Sequence, residues 1–116
     1  MNGVVQYRVS KTAVLSNVSP TTIHTVNPTR WCRASNLHLS NTTGGAVTVR
    51  IFIVPGGASA GTANAALYNF SIPANDFIEF GEGLMLGNSG VISGRSGSPN
   101  AITAFVSGIE EQAIGA

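Results

Sequence analysis

The stretch Ala46-Val47-Thr48-Val49-Arg50-Ile51-Phe52-Ile53-Val54 decides how this 116-residue chain folds. Val47, Val49, Ile51 and Ile53 fall on one side of an extended backbone, while Thr48 and Arg50 fall on the other. A period of two is that of a β-strand with one buried face, because successive strand side chains point to opposite sides. The second side is not wholly polar, since it also carries Phe52 and Val54. Upstream, residues 31–40 alternate in the same way, with Leu37 and Leu39 set among Asn36, His38 and Ser40. Asn41-Thr42-Thr43-Gly44-Gly45 supplies turn formers between the two stretches, so they are expected to pair as a hairpin at the centre of the fold. Downstream, Pro55-Gly56-Gly57-Ala58-Ser59-Ala60-Gly61-Thr62 has too little side-chain bulk for either regular element and is expected to be an exposed loop.

Farther from this centre the same signals recur. Residues 4–9 and 21–26 precede it, and 66–72, 76–80, 91–93 and 101–110 follow, each a short run containing β-branched or aromatic residues. Pro73-Ala74-Asn75, Gly87-Asn88-Ser89-Gly90 and residues 94–100 turn the chain between the later runs. No window sustains the i, i+3, i+4, i+7 stripe of an amphipathic helix. Seven to nine short strands at this spacing predict an all-β, single-domain β-sandwich of jelly-roll or immunoglobulin-like type. The domain is expected to span 1–116, with 1–30 an N-terminal segment serving as an arm or as edge strands, 31–110 the core sandwich and 111–116 a tail.

Composition narrows the functional classes. Only 9% of the residues are charged, six Lys plus Arg against five Asp plus Glu, for a net charge of +1. An ordinary soluble domain carries roughly 25%. Gly, Ser, Thr and Asn together fill 46 of the 116 positions, so solubility rests on hydroxyls, amides and backbone. Without a basic excess there are few counterions to release from a phosphate backbone, and no nucleic-acid partner is expected. A hydrophobic content of 43% argues against a disordered chain. Apolar runs such as Ile51-Phe52-Ile53-Val54 fall far short of the roughly 18 residues of a membrane span, so no membrane partner is expected. Residues 1–10 lack the basic and apolar regions of a secretory signal, and routing through a secretory membrane is not expected.

Chemistry-bearing residues are sparse. His24 and His38 are the only histidines, and no Gly-x-Ser-x-Gly elbow is present to place a nucleophile. A glycosidase pair would have to come from Asp76, Glu79, Glu82, Glu110 and Glu111, and Asp76 and Glu79, three apart on a strand, point to opposite faces. Cys32 is the only cysteine, which excludes an intrachain disulfide and a multi-cysteine zinc site. His24, His38 and Cys32 lack His-x-His or Cys-x-x-Cys spacing and could share a metal only if the fold happened to bring them together. Gly94-Arg95-Ser96-Gly97-Ser98 lacks the lysine and following helix of a phosphate-cradling loop. The chain is therefore read as a non-enzyme with no cofactor and no metal.

Contact surfaces are better marked. In 101–110, Ile102, Ala104 and Val106 alternate with Thr103, Phe105, Ser107 and Ile109, so this strand, like 46–54, is apolar on both sides. Leaving a phenylalanine in water forgoes about 1.5–3 kcal/mol. Phe52, Val54, Phe105 and Ile109 are therefore candidate subunit-interface residues, unless the chain's own N-terminal segment covers them. Arg50 joins this set, because five of the six basic residues are Arg, whose planar fork suits protein contacts better than Lys does. Trp31, flanked by Arg30 and Arg33, together with Tyr68 and Arg95, are candidate contacts for a partner or a glycan.

A family resemblance rests on an ordered set of segments. Ala34-Ser35-Asn36-Leu37-His38-Leu39-Ser40-Asn41-Thr42-Thr43-Gly44, Val47-Thr48-Val49-Arg50-Ile51-Phe52-Ile53-Val54-Pro55-Gly56-Gly57, Ser71-Ile72-Pro73-Ala74-Asn75, Glu79-Phe80 and Val106-Ser107-Gly108-Ile109-Glu110 occur in that order. Together they resemble the small β-sandwich virion proteins of tailed bacteriophages, over residues 34–110. The resemblance implies a structural protein of the virion, assembled in the host bacterial cytoplasm. The expected role is a capsid decoration or cement protein bound to the major capsid protein or other virion proteins, working as a homo-oligomer, a trimer or dimer. The alternatives it leaves are a neck, tail or fibre accessory protein, or a carbohydrate-binding module in host recognition. It carries over no functional residues.

Overall fold

Among the described residues, 3–80 and 84–114 of a computed structural model, nine strands follow one another. They are β1 (Gly3–Val14), β2 (Thr21–Thr25), β3 (Trp31–Asn41), β4 (Val47–Val54), β5 (Ala65–Ile72), β6 (Phe77–Phe80), β7 (Leu84–Leu86), β8 (Val91–Ser96) and β9 (Ile102–Ile114), with a 3-10 turn at Thr62–Asn64. One sheet has the order β1-β9-β3-β6, with β7 also paired to β3, and the other has the order β2-β8-β4-β5. Every pairing is antiparallel. β6 and β7 lie along successive lengths of the same edge of β3 and together fill one position, which leaves two four-stranded sheets between which the chain repeatedly crosses. This is the jelly roll, one of the two sandwich types expected.

The hairpin expected between 31–40 and 46–54 does not form. β3 pairs with β9, β6 and β7, whereas β4 pairs with β5 and β8. The turn after Asn41 carries the chain from one sheet to the other, across a gap of roughly 10 Å between packed sheets. Alternation reveals which side of a strand is buried but not which strand lies beside it. Here the crossing sets Leu37 and Leu39 in the same core as Val49 and Ile51. Asn41, itself buried, secures the crossing. Its Nδ2 donates to the carbonyls of Gly45, Ile72 and Pro73 at 2.9–3.1 Å, and its Oδ1 accepts from the Thr43 amide and hydroxyl. The Asn75 amide donates to the Thr43 carbonyl at 3.1 Å. The Asn-Thr-Thr and Ile-Pro-Ala-Asn segments, separate in sequence, thus form one joint where the chain changes sheets twice.

Leu37, Leu39, Ile102, Ala104 and Val106 of the first sheet, and Val47, Val49, Ile51, Ile72 and Ile92 of the second, build a shared interior that Leu15 and Val26 extend. Two irregularities keep it continuous. In β3 the register shifts between Ala34 and Asn36, so Cys32 and Ala34 point inward along with Leu37 and Leu39 despite their odd spacing. Gly108 lies opposite this bulge, where a Cβ would strike the Arg33 carbonyl oxygen, so only glycine lets β9 approach that closely. In β2 a second shift brings His24 into register with the interior Ile92 and buries it.

β1 and β2 are edge strands, the first of one sheet and the second of the other. β1 pairs with β9 from Gly3↔Ile114 to Val14↔Thr103, and β9, expected to stop at residue 110, continues to Ile114. Glu82 and the last two residues of the expected tail lie outside the described residues.

Candidate functional site

Three features follow from this arrangement: an uncovered sheet face, an arginine pair on the opposite face and a polar cluster between the sheets. On the outer side of the first sheet the strand register aligns side chains in rows. One row is Val14, Thr103, Ser40 and Phe77; the next is Thr12, Phe105, His38 and Glu79; farther along come Arg8, Ile109, Arg33 and Met85. Phe105 is 37% exposed, Phe77 52% and Met85 60%, and Ile109 is half-buried. The His38 ring stacks on Phe77, with centroids 4.8 Å apart, and its Nδ1 lies 3.5 Å from a Glu79 carboxylate oxygen. Trp31 belongs to the same face. Its Nε1 donates to Glu111 at 3.2 Å, and the same carboxylate accepts from Gln6.

The outer side of the second sheet is different. Phe52 and Val54 point outward from β4, as their alternation requires, yet both are buried, Phe52 to 4% exposure. Both are therefore covered within this chain, and the N-terminal segment has a part in it, since Pro20 and Thr22 line the same cleft as Val54. The segment that leaves β4 lies beside them as well. The 3-10 turn packs on β4, and Ala58, Ser59 and Ala60 border a cleft of about 280 Å³ together with Val54, Val91 and Ser93. The loop is pinned by Asn64, whose Nδ2 donates to the Ser59 carbonyl and whose Oδ1 accepts the Gly61 amide. The apolar side chains therefore needed a lid, and a loop of small residues lies close enough to serve as one.

Beyond this lid lies the arginine pair. Arg50 of β4 and Arg95 of β8 are direct neighbours across the ladder. Opposite Arg50, β5 has an extra residue, with Tyr68 and Asn69 facing the single position of Arg50, and Asn69 takes the left-handed conformation at φ 55°. The bulge clamps the arginine, whose Nε donates to Asn69 Oδ1 at 2.8 Å while its guanidinium lies 4.3 Å over the Tyr68 ring. Arg95 donates from Nε and Nη2 to the Asn17 carbonyl at 3.2 and 3.1 Å. A cleft of about 110 Å³ is lined by both arginines with Asn17, Thr48, Asn69, Ser96 and Gly97, and no carboxylate is among these residues. Of the sequence candidates, Arg50, Tyr68 and Arg95 come together. Trp31 lies on the other sheet, and the Tyr68 ring already carries Arg50, so the two aromatics do not assemble a shared platform for a sugar.

The third feature was not anticipated from the sequence. Glu110 projects inward from β9 and is buried to 3% exposure. One of its oxygens lies 2.5 Å from His24 Nε2, and the other accepts from Arg30 Nη1 at 3.3 Å. The Arg30 guanidinium in turn stands 3.5 Å over the Tyr7 ring and donates from Nε to Gln112. Cys32 completes the group, and burial, reinforced by the Glu110 carboxylate, pushes its thiol up to about 11. His24 Nδ1 is buried and has no hydrogen-bond partner. Glu110 was readable in one respect. It continues the inward register of Ile102, Ala104, Val106 and Gly108, where an acid is out of place unless partnered. Its partners, however, come from β2 and from the segment before β3, distant in sequence and brought near only by the fold.

Comparison with known proteins agrees with the architecture. No family model and no curated relative matches the sequence. Among solved structures, a subunit of Bacillus endospore appendages, described as a family of disulfide-linked pili, superposes with a TM-score of 0.60 and 14% identity over 99% of this chain and 92% of that one. A chain from the acid-stable capsid of Helicobacter pylori bacteriophage KHP30 superposes with a TM-score of 0.55 and 8% identity over 100% of both. At these identities the likeness establishes a shared fold.

Proposed function

We propose that the chain is a non-enzymatic structural protein of a bacteriophage particle, a capsid decoration or cement protein that binds the major capsid protein and stabilises the shell. The observation that carries this reading is the uncovered outer side of the first sheet, where Phe77, Phe105 and Met85 remain exposed beside half-buried Ile109. Exposed large apolar side chains grouped on one face, rimmed by polar residues, are typical of contact surfaces. The low charge content supports the same conclusion, because few charges need to be desolvated when such a surface is covered. Phe105, Ile109 and Trp31 belong to this proposed interface, and Phe52 and Val54 are withdrawn from it. Self-association as a dimer or trimer through this face is part of the proposal, as is residence in the virion.

One competing role is a pilus subunit, because the first structural neighbour described above comes from a disulfide-linked filament. Cys32 is this chain's only cysteine and is buried, so a covalent link of that kind has no exposed thiol to use. Sedimentation of the isolated protein and cryo-microscopy of purified particles test the proposal. Density for this chain on the shell, with its first sheet facing a neighbouring subunit, is the expected result. A strictly monomeric protein absent from purified virions would overturn it.

A further inference from the structure

We propose that His24, Cys32 and Glu110 form a binding site for one transition-metal ion of the zinc type, set between the two sheets. An imidazole nitrogen of His24, the Cys32 sulfur and a carboxylate oxygen of Glu110 all lie within 4.8 Å of one another. Ligands held about 2.0–2.3 Å from a tetrahedral zinc ion stand about 3.3–3.8 Å apart, so small side-chain adjustments close the site. The donor set mixes nitrogen, sulfur and oxygen, which suits a borderline-soft ion such as Zn²⁺ and suits Mg²⁺ or Ca²⁺ poorly.

Two further observations describe the surroundings. His24 faces Glu110 through Nε2, while its Nδ1 is buried without a hydrogen-bond partner, so the imidazole is incompletely satisfied by the protein alone. In addition, His24 and Glu110 border a cleft of about 300 Å³ that reaches solvent past Arg8, Lys11 and Arg30, so an ion entering there passes three cationic side chains and gains its attraction from Glu110 and the Cys32 thiolate. Arg30 holds the Glu110 oxygen not facing His24, as an outer partner that orients a ligating carboxylate. The site would also staple the fold, because His24 lies in β2 of one sheet while Cys32 and Glu110 lie in β3 and β9 of the other.

Binding breaks the Cys32 S–H bond and forms a metal–sulfur bond, and the thiol proton leaves to solvent. The imidazole keeps its proton on the nitrogen that does not bind the metal, so one proton is released per ion. Nothing in this inference depends on the virion role.

The test is titration of the folded full-length chain, first stripped with chelator, with Co²⁺ and then Zn²⁺. One Co²⁺ per chain is expected, with a near-ultraviolet thiolate-to-cobalt absorption band that Zn²⁺ abolishes, and with release of one proton read from the buffer dependence of the calorimetric heat. Excess Zn²⁺ should raise Tm by roughly 5 °C or more. Cys32→Ser should remove the band and weaken Zn²⁺ binding at least about tenfold, and Glu110→Gln should weaken it similarly. Should Glu110→Gln fail to fold, the wild-type titration and the near-isosteric Cys32→Ser decide the matter. No saturable binding by the wild type, or binding of unchanged affinity after Cys32→Ser, as surface coordination at His38 and Glu79 would give, overturns the proposal.

Discussion

The two outer faces of this sandwich start from similar strands and end differently. β4 and β9 both place apolar residues outward, Phe52 and Val54 in one, Phe105 and Ile109 in the other. On the β4 side Phe52 and Val54 are buried, and the glycine- and alanine-rich loop that leaves the strand borders Val54 together with Pro20 and Thr22. On the β9 side the chain runs on as strand to Ile114, so no loop emerges there to fold over Phe105. An apolar residue on the outside of a strand is therefore ambiguous until the course of the following segment is known. The difference separates stability from association at these positions: Phe52 and Val54 should matter for folding, and Phe105 and Ile109 for contacts.

The largest effect that tests this separation is expected from Phe52→Ser. It should cost about 3–5 kcal/mol in urea unfolding, the range for removing a buried aromatic side chain. A cost below about 1 kcal/mol would mean that the loop does not seal the face. Gly56→Ala probes the lid itself. A Cβ at position 56 would collide with the Asn88 carbonyl oxygen and lever the loop off its seat, and a loss of about 1–3 kcal/mol is expected. Unchanged stability would show that the loop can shift without uncovering Val54. Phe105→Ser on the other face should lower stability by about 1–2 kcal/mol, since the ring is already 37% exposed. It should nonetheless reduce self-association in sedimentation and occupancy on particles, and a larger loss of stability than of association would return Phe105 to the core. The smallest effect is expected for Arg50→Ala. Loss of the stacking on Tyr68 and the bond to Asn69 should cost about 0.5–1 kcal/mol, because the pair is only partly shielded from water. A cost above about 2 kcal/mol would show that the β5 bulge depends on the arginine.

Much of the fold was legible because strand periodicity is local. The inward set Val47, Val49, Ile51 and Ile53, the turns at 41–45 and 73–75 and the loop at 55–62 need only a few neighbouring residues to be recognised. The partner of each strand was not legible, and the expected β3–β4 hairpin failed for that reason. A turn rich in Asn, Thr and Gly suits both a hairpin and a crossing between sheets, and it is Asn41, bonded to carbonyls 31 and 32 residues away, that commits it to the crossing. The arginine pair was half legible. Arg50 and Arg95 stood out by residue type, but their adjacency depends on the β4–β8 register. The interior cluster was least legible, because His24, Arg30, Cys32 and Glu110 follow no spacing rule and meet through two bulges that no period-two pattern announces.

The sequence by itself determined an all-β chain with few charges, one cysteine, and strands whose buried sides can be named residue by residue. Those properties depend on composition and on the alternation of side chains along an extended backbone, which hold wherever the strand is placed. Tertiary structure alone decided which strands share a sheet, that Phe52 is covered while Phe105 is partly exposed, and that His24, Cys32 and Glu110 stand within 4.8 Å of one another. These outcomes depend on contacts between residues far apart along the chain, and their free energy appears only once the two sheets have closed on each other.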